Sequence, residues 1–119
     1  MAELLETRDA VAQIEPLLAH LWMVRTFLKH AEEIQDSLEM LEVPRNLFDV
    51  IRATEPALQS GDHGRYIHKL RGKMGRLREA RDFLSAQYSV YSDHTNYQMA
   101  ARSLDAATKA IEAVLAKCG

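Results

Sequence analysis

The sequence predicts an all-α chain folded as an antiparallel up-and-down four-helix bundle, and two observations carry that expectation. Apolar residues recur at three- and four-residue steps along nearly the whole chain, and no run alternates or concentrates β-branched residues. Breaker residues gather at only a few places, so long amphipathic stretches are joined by short connections, as a bundle requires. With 119 residues, 47% of them hydrophobic and 27% charged, the composition suits a packed core and departs from that of disordered chains. Residues 1–119 are therefore expected to form a single helical-bundle domain.

The N-terminal stretch AELLETRDAVAQI is helix-prone and is either a short extra helix, over residues 3–14, or an extension kinked at Pro16. A first long helix is expected from Pro16 to Leu38, opened by its proline, with Leu17, Leu21, Val24, Leu28, Ala31 and Leu38 as its stripe. The second helix opens at Pro44 and turns Leu47, Val50, Ile51, Thr54 and Leu58 to one side. Pro56 should bend or end it, because proline removes a backbone donor and crowds the preceding turn. Ser60-Gly61-Asp62-His63-Gly64 reads as a turn. The third helix then runs from Arg65 to Tyr91 with Ile67, Leu70, Met74, Leu77, Leu84 and Tyr88 inward. Gly72 and Gly75 inside it suggest close approach of a neighbouring backbone. SDHTN supplies capping residues for a last helix that carries Ala100, Leu104, Ala107, Ile111 and Val114 on one face.

Charge is unevenly placed. Residues 1–60 hold eleven acidic and five basic side chains (net −6), whereas residues 61–119 hold six acidic and ten basic (net +4). The basic excess centres on GRYIHKLRGKMGRLREAR, and a helical wheel divides it. Arg71, Arg78 and Arg81 fall at the edge of the apolar stripe and are expected to pair with Glu32, Glu33, Asp36 or Asp49 of the acidic half. Arg65, Lys69, Lys73 and Arg76 are left for an external anion, a candidate nucleic-acid surface. A pI near 6.2 and the absence of any helix-turn-helix, zinc-finger or RNA-recognition signature weigh against that use.

The five histidines do not form metal-binding patterns: Glu-x-x-His, His-Glu-x-x-His and histidines four apart are all missing, so no metal ligands are assigned. No nucleophile elbow, phosphate loop or dinucleotide fingerprint occurs, so no catalytic residue and no cofactor are assigned. Arg25 and His30, in RTFLKH, match the arginine-to-histidine spacing of HEPN-type ribonucleases, which are also helical bundles. The match covers six residues on the first long helix, whereas that family carries its motif near the C-terminal end of the bundle. It supports an RNase-like alternative and no family assignment.

His20 is placed among Leu17, Leu21, Val24 and Phe27, as a core histidine. Tyr91, His94, Asn96 and Tyr97 could build a small polar pocket at one end of the bundle, or the tyrosines could close that end with their hydroxyls in water. Trp22, with Leu18 and Arg25, lies off the main stripe, so it needs either the N-terminal segment or a partner to cover it. Cys118 is a lone thiol, expected at a frayed end.

No secretory signal and no apolar run of membrane-spanning length stand in the sequence, which favours a cytoplasmic protein without membrane contact. The function expected from these features is non-enzymatic: a protein–protein interaction or scaffolding module, as a homodimer or with a protein partner. The alternatives are a nucleic-acid-associated protein and a small-molecule or metal-binding bundle.

Overall fold

The computed structural model describes residues 4–119, of which the great majority lie in four helices. These are α1 (Thr7–His30), α2 (Leu38–Ser60), α3 (His63–Tyr91) and α4 (Thr95–Lys117), with a 3-10 turn at Glu32–Ile34. Their directions follow from contacts between ends. The Leu5 amide donates to the Lys117 carbonyl (2.7 Å), joining the start of α1 to the end of α4. The Tyr91 hydroxyl and Ser37 Oγ (2.8 Å) join the end of α3 to the start of α2. The helices therefore run up, down, up, down, with α1 and α3 on one diagonal, and no strand occurs among the described residues.

Helix α1 begins nine residues before Pro16 and passes through it. An interior proline costs about 3 kcal/mol. Ala10, Val11 and Ile14 before it, and Leu18, Leu21, Val24 and Leu28 after it, form one buried stripe. Each large member is worth roughly 1.5–3 kcal/mol of burial, so the stripe outweighs the proline. Residues 7–14 of the expected short helix are thus an extension of α1, Leu4, Leu5 and Glu6 precede it without helical structure, and residue 3 lies outside the described residues. Pro44 and Pro56 are likewise interior to α2, so Pro44 does not open that helix and Pro56 does not end it.

The expected helix from Pro16 to Leu38 is cut at Ala31, whose backbone is extended (φ −73°, ψ 123°). Gln35 Nε2 donates to the carbonyls of Lys29 and Ala31 (2.9 and 2.8 Å), taking up acceptors that the end of α1 leaves free. Ile34 is fully buried beneath the connection. Ser37 then caps α2 by accepting the Met40 amide (3.1 Å), and Leu38, assigned from periodicity to the stripe, is 82% exposed.

The α2–α3 turn behaves as its residues suggest. Gly61 takes the left-handed conformation (φ +73°), and the amides of Gly61 and Asp62 return to the carbonyls of Leu58 and Ala57. Asp62 Oδ1 accepts the Arg65 amide (3.1 Å) and caps α3. Gly72 and Gly75 have another setting than the one expected. Both are exposed, and a Cβ added to either would meet nothing within 4 Å, so no neighbouring backbone presses on them.

Arg71, Arg78 and Arg81 do join α3 to a neighbour, but the neighbour is α4. Arg71 donates to the carbonyls of Leu115 and Cys118 (2.9 and 2.7 Å), where the α4 dipole favours a cation. Arg81 and Arg78 approach Glu112 (3.2 and 3.6 Å). Antiparallel packing sets the last turns of α4 beside the first half of α3, so these carboxylates and carbonyls are nearer than those of the acidic half. Cys118 is consequently buried next to the Leu5 contact, at 5% exposure, and is not frayed.

Candidate functional site

The two flanks of the α1 stripe meet different helices and carry different chemistry. On the flank toward α4, His20, Met23, Phe27, Asn96 and Met99 line a shallow hollow of about 290 Å³. His20 is exposed there and is not a core residue: the stripe runs through Leu18 rather than Leu17, which turns His20 out to its edge. Ser103 Oγ, on the α4 side of this hollow, is buried without a hydrogen-bond partner among the described residues.

The flank toward α2 is the more structured. Trp22 is half-buried against Phe48 of α2, with ring centroids 6.0 Å apart and planes tilted by 37°. Neither the N-terminal segment nor a core position accounts for Trp22; its cover is Phe48. The Arg25 guanidinium lies over both rings, 4.4 Å from the Trp22 centroid and 5.2 Å from that of Phe48. The Arg52 guanidinium also approaches Phe48, at 6.0 Å from its centroid. A guanidinium held over aromatic rings in this way gains a cation–π attraction and still has N–H donors with which to bind an anion.

Beside the ring pair, Leu41, Pro44 and Phe48 floor a hollow of about 380 Å³, with Arg25, Lys29 and Arg45 at its rim. Leu18, grouped with Trp22 and Arg25 as a partner contact in the sequence, is only 1% exposed and belongs to the core. The structure adds Phe48, Arg45, Arg52, Lys29, Leu41 and Pro44 to Trp22 and Arg25. A signal for the first of these was present in the spacing. Trp22, Arg25 and Lys29 lie at i, i+3 and i+7 on α1, as do Arg45, Phe48 and Arg52 on α2, so each set shares one helical face. Four of the five basic residues in positions 1–60 converge here. Arg45 pairs with Glu42 (2.6 Å), whereas Arg25, Lys29 and Arg52 make no ion pair with a described residue.

The other sequence candidates are used internally or left scattered. Of the four cations proposed for an anion surface, Arg76 is held by Asp49 of α2 (2.7 Å). Arg65 and Lys69 are exposed and Lys73 is half-buried, none with an ion-pair partner among the described residues. At the far end, Tyr97 is buried, stacks edge-on to Phe27 (5.2 Å) and donates to Glu33 Oε2 (2.7 Å). His94 Nδ1 accepts the Asn96 amide (3.0 Å) and caps α4. Tyr91 meets Ser37, so Tyr91, His94 and Tyr97 fasten helix ends and only Asn96 of the four lines a hollow, the one beside His20; two of the hydroxyls go to protein groups instead of water.

Burial and the Glu33 carboxylate push the Tyr97 phenol above its ordinary range. The same hydrogen bond, aided by a backbone one, holds the Glu33 carboxyl low. Tyr66, fully buried at the start of α3, donates to Glu15 Oε2 (2.5 Å) and is likewise pushed up, first by burial and then by Glu15. Each tyrosine is a neutral donor, locked by a carboxylate from α1 or the turn after it.

His30 is exposed at the end of α1, Arg25 lies over the two rings, and no hydrogen bond joins them among the described residues. A hollow of about 910 Å³ between α2 and α3 carries Glu39, Glu42, Glu79 and Asp82, but Glu42 and Asp82 are already paired with Arg45 and Arg81. No group of three or more His, Cys, Asp or Glu that could hold a metal occurs among the described residues, and no helix is long and apolar enough to cross a membrane. Compared with protein-family models, curated proteins and solved structures, the chain matches none.

Proposed function

We propose that the chain is a non-enzymatic, cytoplasmic protein–protein interaction module that docks a partner on the α1–α2 face. The observation that carries this reading is the Trp22–Phe48 pair. Two large aromatic rings from different helices share the surface, with Arg25 laid across both beside an apolar hollow. Tryptophan and arginine are the residues that most often dominate binding energy in interfaces, and a pre-ordered pair loses little side-chain entropy on docking.

A symmetric homodimer through this face is disfavoured. It would set Arg25, Lys29, Arg45 and Arg52 against the same four side chains of the other copy. The face suits a different surface as its partner.

Selection from a random peptide display library tests the reading, with the folded Trp22→Ala/Phe48→Ala variant used for counter-selection. Sequences retained by the wild-type protein should lose roughly tenfold or more in affinity for the variant, since a central aromatic anchor is worth well over 1 kcal/mol. Failure to enrich any sequence, or equal binding to both proteins, would remove the docking face.

A further inference from the structure

Resting on that docking-face reading, we infer that the occupant is an acidic amphipathic segment. It places an apolar side chain in the hollow of Leu41, Pro44 and Phe48, and carboxylates on Arg25, Lys29, Arg45 and Arg52.

Charge complementarity selects this occupant. The acidic half of the chain has only five cations, yet three of them (Arg25, Lys29 and Arg45) line one apolar hollow and a fourth, Arg52, lies 6.0 Å from the Phe48 ring; Arg25, Lys29 and Arg52 make no ion pair with a described residue. On α3, Arg71 is used on α4 carbonyls, Arg76 on Asp49, and Arg78 and Arg81 on Glu112, whereas Arg65, Lys69 and Lys73, also without an ion-pair partner among the described residues, border none of the hollows described above. Arg25 lies over the Trp22 and Phe48 rings, which accept no N–H in the plane of the guanidinium, so its donors remain for a carboxylate, which a guanidinium can take bidentately. From Arg45 to Arg52 is seven residues, about 10 Å along the helix, so carboxylates about two turns apart on a partner helix match the cations.

A nucleic acid fits the same face less well. Base stacking needs an open ring face, and the Trp22 ring carries Arg25. Glu15 and Glu55 stand beside Trp22 and Arg52, where a continuous phosphate backbone would meet them. Separate carboxylates on a short segment can avoid both.

The test measures fluorescence anisotropy of the full chain with three labelled probes. These are an amphipathic peptide with leucines one turn apart flanked by glutamates, its counterpart with every glutamate replaced by lysine, and oligo-dT of similar length. The glutamate peptide should bind, the lysine peptide should not, and affinity should fall as salt is raised from about 50 mM to about 500 mM. The exposed substitutions Lys29→Glu and Arg52→Glu together should weaken binding by about tenfold or more, whereas Lys69→Glu on α3 should leave it unchanged.

Equal binding of the two peptides, salt-independent binding, no binding of the glutamate peptide, or tighter binding of oligo-dT would each overturn the proposal. So would a self-association, seen by sedimentation, that Lys29→Glu/Arg52→Glu abolishes and that blocks the peptide. If the display selection yields sequences that depend on Trp22 and Phe48 but carry no acidic bias, this inference falls and the docking face stands.

Discussion

Gly72 and Gly75 lie on the solvent side of α3, where an added methyl group meets nothing within 4 Å and neither glycine takes a positive φ. Their only effect on the folded state is therefore the entropy they cost the helix. Gly72→Ala and Gly75→Ala should each stabilise the protein by about 0.5–1 kcal/mol, read as a raised denaturant midpoint with an unchanged slope. A loss of stability from either would mean that a neighbour does approach them. His20 and Leu18 carry the complementary lesson. Taking the α1 stripe through Leu17 instead of Leu18 is a one-position shift, about 100° of helical rotation; the structure leaves Leu17 half-buried, puts Leu18 in the core and turns His20 out to solvent. Periodicity located the apolar face, but with Leu17, Leu18 and Leu21 all present its centre was ambiguous.

The connection between α1 and α2 shows what an element can conceal. Residues 31–37 contain neither proline nor glycine, and Ala31, Ile34 and Leu38 continue a helical period, so nothing local announces a break. The chain breaks there because α2 must reverse direction to pack on α1, and three side chains make the reversal tolerable. Gln35 takes up the end of α1, Ile34 fills the space beneath, and Ser37 caps α2 while holding Tyr91. Ser37→Ala removes the cap and strands the Tyr91 hydroxyl, and should cost about 1–2 kcal/mol in chemical denaturation. An unchanged midpoint would show that Gln35 and Ile34 hold the turn without it. The opposite error occurred at the prolines. Pro16, Pro44 and Pro56 carry strong local break signals, yet each lies inside a helix whose buried stripe continues on both sides. Local cost is read from one residue, whereas the burial that overrides it is a sum over the helix.

Across the whole molecule, the phenol–carboxylate pairs set opposite limits on pH. Tyr97 donating to Glu33 holds that carboxyl below its ordinary 4.5, so the folded state binds the proton less tightly than the unfolded chain. The stability this contributes is present above the unfolded value and is lost as pH falls through the folded one. Tyr66 and Tyr97 are raised above their ordinary 10.0, so the folded state keeps protons that the unfolded chain releases. Their contribution is complete below about pH 10 and declines as pH rises beyond it. Thermal melting across pH should therefore show an acid limb that flattens in Glu33→Gln. An alkaline limb should flatten in Tyr66→Phe, and limbs identical to wild type in these variants would remove the assignment.

The same scale explains the charge pattern. The sequence divides into an acidic and a basic half, but only Arg76–Asp49 joins the two among the observed cross-helix ion pairs; Arg78 and Arg81 turn to Glu112 within their own half. Trp22 and Arg25 were legible as a site because they stand off the stripe. The spacing of Arg45, Phe48 and Arg52 showed that they share a face of α2, but not that this face meets Trp22 and Arg25, since nothing in a one-dimensional string says which flank of α2 faces which flank of α1.

By itself the sequence determined the all-α class, the four-helix count, the Gly61–Asp62 turn and the inward faces of α3 and α4. These depend on periodicity and backbone preference, which act within a few residues. The tertiary structure alone decided that α1 ends at His30, that α4 receives the arginines of α3, and that two i, i+3, i+7 sets meet as one aromatic and cationic face. Those outcomes depend on helix rotation and neighbour choice, which are set by the summed burial of the whole core.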